Sequence, residues 1–182
     1  MTTAALEKLK YPIGTYQIPM PITDHHIVEW INVLEELPLT LEAMVNNLTQ
    51  EQLATPYRPG GWTVRQLVHH IADSHHHSYV RFKWALTEDN PTIKPYLEKE
   101  WAALFDSKSA PVFLSLQHLG AVHAKLVYLL KGLDKKDLQR TFMHPDGNTK
   151  TTLAENIGRY AWHGSHHLAH IQNLVLRMNW TT

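Results

Sequence analysis

Fourteen histidines occur in 182 residues, and nine of them fall in two stretches. Residues 62–77 (WTVRQLVHHIADSHHH) carry five, and residues 160–171 (YAWHGSHHLAHI) carry four. Neutral imidazole is the commonest protein ligand of a transition metal. Two histidine-dense segments brought together inside one fold therefore point to a metal site. The chain has no cysteine, which excludes disulfides and thiolate ligands and leaves nitrogen and oxygen donors.

Both stretches read as helical, and helical spacing narrows the choice of ligands. Positions i and i+4 share a face, so a His-x-x-x-His pair can chelate one ion. The second stretch offers His163 with His167 and His166 with His170. Its apolar residues, among them Leu153, Ile157, Gly164, Leu168, Ile171 and Val175, centre on one direction. At ~100° per residue His167 lies about 50° from that centre and His163 about 90°, against roughly 110° for His170 and roughly 150° for His166. The first pair borders the core and the second faces outward, which favours His163 and His167. In the first stretch His69 and His70 both project ~120–140° from the apolar centre, on opposite flanks, whereas His75 falls almost on it. Periodicity alone thus leaves His75 as a rival to His70 for a third ligand. His76 and His77 project to a solvated face, and His69, Asp73 and His77 read as part of it rather than as a second site. His25, His26, His118, His123 and His144 are read as non-ligands, and Asp73 as a surface residue or a neighbour of the site.

The elements that must position these residues are four long helices. Thr23 or Asp24 opens the first, Asp24–Asn47, in which Pro38 predicts a kink or a split. Thr49 and Gln52 form a capping-box pattern for a short turn, and Thr63 with Gln66 opens the second long helix, Val64–Thr87. Residues 92–106 read as a long connection with one turn near Trp101. The third long helix follows Pro111 and runs to Lys131, where Gly132 suits a C-terminal cap. Residues 134–142 read as a short helix and 144–148 as a turn. Thr152 with Glu155 opens the fourth helix, Leu153–Met178. Residues 1–22 read as an N-terminal arm, frayed over 1–10 and extended over Tyr11–Ile22, which contains three prolines. No strand pattern stands out. The expectation is one all-α domain over residues 1–182, a four-helix up-down-up-down bundle with the second and fourth helices parallel. By the rise of a helix, His70 then lies about 11 Å and His163 about 16 Å from their caps, comparable depths.

Composition bounds the class. Seventeen basic and seventeen acidic residues cancel, so nucleic acid is not expected as a partner. No apolar run approaches twenty residues and no secretory leader is visible, so neither a membrane span nor export is expected, and the cytoplasm is the default compartment.

Taken together and in order, several segments resemble the DinB/YfiT-like superfamily of small metal-binding bundles, nearest its YfiT-type metal-dependent hydrolases. They are residues 11–14 (YPIG), 56–58 (PYR), 60–66 (GGWTVRQ), 69–75 (HHIADSH), 85–88 (ALTE), 91–96 (PTIKPY), 138–142 (LQRTF) and 160–171. The resemblance implies one ligand eight residues after Trp62, which is His70, and a pair on the last helix, which is His163 and His167. The resemblance, rather than periodicity, selects His70 over His75. It implies one divalent ion per chain, zinc with nickel as the next choice, and an open fourth position that activates a water for hydrolysis of a small-molecule substrate. The alternative it carries is a thiol S-transferase of the bacillithiol-dependent type, the same metal ionising a low-molecular-weight thiol. A metal-binding protein without turnover is the reading from a different class. Members commonly form homodimers, for which Trp162, opposite the apolar face, is a candidate contact. Tyr96 and Arg65 are candidate pocket or packing groups. No general base is assigned.

Overall fold

A computed structural model describes residues 3–180. Side-chain caps set where most of its helices begin. Thr23 accepts from the His26 amide at 3.3 Å, and His26 Nδ1 accepts from the Thr23 amide, opening α2 (Asp24–Val45). The same reciprocal arrangement joins Thr49 and Gln52 at α3 (Gln50–Leu53), Thr63 and Gln66 at α4 (Val64–Thr87), and Thr152 and Glu155 at α9 (Leu153–Met178). Each box satisfies two of the amides that a helix start leaves without partners. The third long helix, α7 (Val112–Lys131), begins after Pro111, whose fixed φ suits that position.

The four long helices pack as a bundle in which α2 and α4 are diagonal, as are α7 and α9. Trp30 meets Gly158 and Leu37 meets Gly164, so α2 and α9 run parallel. His69 bonds Ser115 and Tyr79 lies under Lys125, so α4 and α7 are also parallel. His75 meets His163 and Ser78 meets Asn156, so α4 and α9 are antiparallel. The all-α four-helix bundle is as expected, but its directions are up-down-down-up, and the up-down-up-down order is corrected. The reason lies in the connection of residues 88–111. It carries α5 (Glu98–Ala103) and α6 (Phe105–Ser109) rather than one turn, and it is long enough to return the chain to the end where α4 began.

Other departures are local. Residues 3–10, expected to fray, form α1 (Thr3–Lys10), and residues 1–2 lie outside the described range. The short helix expected over 134–142 ends early, as α8 (Lys135–Leu138). β1 (Thr141–His144) follows and pairs antiparallel with β2 (Thr149–Thr152), in the register Thr141 to Thr152. Gly147, at φ 74°, turns the hairpin, a conformation that glycine adopts without a Cβ clash. Arg140 donates to the Ala85 and Glu88 carbonyls, so the hairpin also closes the C-terminal end of α4.

α2 runs unbroken through Pro38. Proline has no amide hydrogen, so the Leu34 carbonyl loses its donor four residues on. His123 Nδ1 fills that place at 2.5 Å. Among the described residues α7 alone is long and apolar enough by composition to cross a membrane. It packs here as a bundle helix, with Leu119, Leu126 and Leu130 buried.

Candidate metal centre

The Leu34 carbonyl is the start of a chain of hydrogen bonds that ends at the histidine cluster. A carbonyl only accepts, so His123 Nδ1 carries a hydrogen. His123 Nε2, in a neutral ring, is then bare and accepts from His75 Nδ1 at 2.9 Å. His75 Nε2 is bare in turn and accepts from His163 Nδ1 at 3.2 Å. The network therefore assigns His163 a bare Nε2. That atom lies 3.4 Å from His70 Nε2 and 3.1 Å from His167 Nε2. His70 Nδ1 meets the Tyr96 hydroxyl at 3.3 Å, and a ring that donates there has its Nε2 bare as well. His167 Nδ1 is buried without a hydrogen-bond partner.

One ligand atom from each of His70, His163 and His167 falls within 4.8 Å of the others. The bare His163 Nε2 can accept a hydrogen from His167 Nε2, and a divalent cation at the focus of the three nitrogens would replace that hydrogen bond with coordination. Full protonation of the rings is disfavoured. Burial pushes His70 down to about 4. It also holds His163 and His167 well below the usual histidine range, with neighbouring imidazoles adding to the effect. At neutral pH all three rings are neutral, the form that binds metal. The donor set fits a divalent transition ion.

The structure brings His70, His163 and His167 together across the α4–α9 contact. His75, the rival by periodicity, sits behind His163 on the opposite ring nitrogen. Its full burial explains its place at the apolar centre of α4, and its two ring nitrogens are satisfied by histidines. The roles of His75 and His123 were missed in the sequence. The available signal was a polar side chain projected into the core, which requires a partner there.

His166 and His170, expected to face outward, are buried. The reason is the covering provided by the arm and the 56–62 loop. Tyr57 lies 4.3 Å from the His170 ring, and Trp162 stacks on His166 at 4.6 Å. Trp162 in turn packs against Tyr16 of the arm. With His167 this pair forms a second cluster of nitrogens. Burial, His166 and the cations Arg58 and Arg177 push His170 down to about 3, and the two guanidiniums oppose a metal cation there. His77, expected on a solvated face, stacks on Tyr96 at 4.4 Å. Arg65 is structural, donating to Ala110 O and Gln50 Oε1.

Two clefts meet at Tyr96. One of about 530 Å³ is lined by His163, Tyr160, Ser74 and Arg81 and opens between the 95–100 segment and the hairpin. The other, about 800 Å³ and largely aromatic, lies over Trp84, Trp101 and His77. Asp73 lines the larger cleft, and burial, then Asp106, pushes its carboxyl up to about 6. The smaller cleft reaches the histidine trio through His163 and is of a size that admits a small molecule.

Comparison with known proteins identifies the family. Residues 33–171 match the family model of the DinB superfamily. A Bacillus cereus protein is 55% identical over 176 residues, covering 96% of this chain and 100% of its own. A Bacillus anthracis protein matches at the same identity and coverage, and both carry the provisional name of metal-dependent hydrolase. The solved structure of YfiT from Bacillus subtilis superposes with a TM-score of 0.93 at 48% identity, covering 96% of this chain and 99% of that one. That protein is described as a probable metal-dependent hydrolase with an unusual four-helix bundle topology. The chain, with its histidine-rich bundle, belongs to the DinB superfamily.

Proposed function

We propose that this chain is a metal-dependent hydrolase of small molecules in which His70, His163 and His167 hold one divalent ion, zinc by preference. The observation that carries the reading is the convergence of three neutral imidazoles, that of His163 with Nε2 left bare by the hydrogen bonds behind it, beside a cleft. Bound by three protein ligands, zinc supplies Lewis acidity and an open position that lowers the pKa of water towards neutrality. The chain's own residues prepare that position. His75 and His123 hold the His163 ring in its binding tautomer, and the Tyr96 hydroxyl supports His70 from behind at Nδ1. The names of the relatives support the hydrolase reading.

The test is elemental analysis of the untagged protein beside His70→Ala, His163→Ala and His167→Ala, with hydrolysis of p-nitrophenyl acetate before and after chelation. About one ion per chain, lost in each variant together with a chelator-sensitive activity, supports the proposal. Retention of the ion in His70→Ala with loss in His75→Ala would replace the third ligand. Activity only when a low-molecular-weight thiol is the nucleophile would make the protein a transferase. A metal-loaded chain that turns over neither would be a binding protein.

A further inference from the structure

The smaller cleft holds a charge that no ion pair among the described residues neutralises. Arg81 lines it and is only 8% exposed. Its Nη1 donates to the Tyr160 hydroxyl at 3.2 Å, and its Nε is buried without a partner. It takes part in none of the ion pairs among the described residues. A buried guanidinium is costly without an anion, and it presents a fork of donors suited to two oxygens at once. The rim of the cleft carries both signs, Arg159 and Lys99 against Glu98, Glu100 and Asp146, all exposed, and these largely cancel in solvent. The buried wall carries Arg81 alone. Its field reaches its neighbours, since burial and then Arg81 depress His144 on β1.

Tyr160 links this cation to the metal centre. Its hydroxyl accepts from Arg81, and its ring lies 5.6 Å from that of His163. We propose that Arg81 is the anchor for an oxyanion on the substrate, a carboxylate or a phosphate, carried on the same small molecule whose scissile group faces His70, His163 and His167. The inference rests on the hydrolase reading for the word substrate, but the anion subsite stands on the cleft and the unpaired guanidinium. An uncharged ester would leave Arg81 buried and unpaired, whereas a monoanionic one would pair it in a desolvated place.

The experiment titrates succinate, inorganic phosphate and neutral succinamide into the zinc-reconstituted full chain, followed by calorimetry and by the Nε–Hε signals of its arginines in ¹H–¹⁵N spectra. One of the two anions is expected to bind and to move the Arg81 signal, with succinamide inert. Arg81→Gln should weaken that binding about ten- to a hundredfold, the usual weight of a charge-assisted hydrogen bond, with partial recovery in Arg81→Lys. Succinate against phosphate identifies the oxyanion. The metal-free wild-type chain should still bind it, whereas loss there would place the anion on the ion and overturn the proposal. If Arg81→Gln does not fold, the wild-type spectrum decides, and an unmoved Arg81 signal with both anions overturns the proposal. Hydrolysis of p-nitrophenyl acetate is read separately. An inactive chain that binds through Arg81 keeps the subsite and removes the hydrolase reading. An active chain blind to both anions does the reverse.

Discussion

At the scale of residues, hydrogen bonds set the tautomer of His163 from the inside of the fold outward, in the form a metal would require. Pro38 withholds an amide, the Leu34 carbonyl takes His123 instead, and the order of donors runs through His75 to His163. Groups that orient a ligand from behind typically contribute 10–100-fold to metal affinity. His123→Ala is accordingly expected to weaken zinc binding by about that factor while leaving one site per chain, as read by competition with a chromophoric chelator. Unchanged affinity would reduce the chain of histidines to packing. The sequence made His163 and His167 legible because a spacing of four on a helix flank is a local property. Periodicity left His70 and His75 open, and resemblance chose between them. Which ring faces the cluster and which supports it depends on α7, and no pattern within α4 or α9 contains that information.

At the scale of elements, helix starts and lengths were legible because capping boxes and apolar periodicity are local. Val64–Thr87 and Leu153–Met178 were read to the residue. Helix directions were not, because they depend on how far a connection can travel. The parallel pair α2 and α9 approach closely at two glycines. A Cβ at Gly158 would lie 2.8 Å from Trp30 Cη2 and from the Tyr16 hydroxyl, and one at Gly164 would lie 2.6 Å from Leu37 Cδ2. Gly158→Ala must push a half-buried indole and the arm apart, and overpacking of this kind costs about 1–3 kcal/mol. Urea denaturation should show a lowered midpoint for that variant. Thr152→Ala removes the cap of the helix that carries His163 and His167, and should cost about 1 kcal/mol by the same measurement. The outward reading of His166 and His170 failed for a related reason. A helical wheel knows the face that meets the other helices, but not that the arm and the 56–62 loop cover the opposite one.

At the scale of the whole molecule, histidine dominates the response to acid. Burial holds ten of the fourteen rings below the usual value. The unfolded chain takes up protons near pH 6.5 that the folded chain refuses until its own lower values. The unfolded state therefore binds more protons below that pH, and stability is full above it and falls as pH drops through the depressed values. Each such group contributes at most about 1.4 kcal/mol per pH unit in that window. The metal-free protein should lose its urea midpoint steeply between about pH 6.5 and 4, the unfolded and folded values for His70. A flat profile there would contradict the burial of these rings. Asp73 opposes this trend. Its folded value is raised to about 6, so the stability it contributes is full below its unfolded value and is lost as pH rises through about 6. Asp73→Asn should raise the midpoint at pH 7, by about 1 kcal/mol or less because the side chain is part exposed and solvent screens it. The reversed order of the bundle has one more result. The chain that carries α4 back to the start of α7 also supplies one wall of each cleft, Pro95 to Glu100 for the smaller and residues from Lys94 to Leu104 for the larger, while the clustered imidazoles come from α4 and α9. The clefts thus draw one side from this returning tract and the other from the helices that carry the imidazoles, Arg81 on α4 and Tyr160 on α9 among them. Apart from Tyr96, which touches His70, a change of side chain in the returning segment would reshape the clefts and leave the imidazole cluster as it stands.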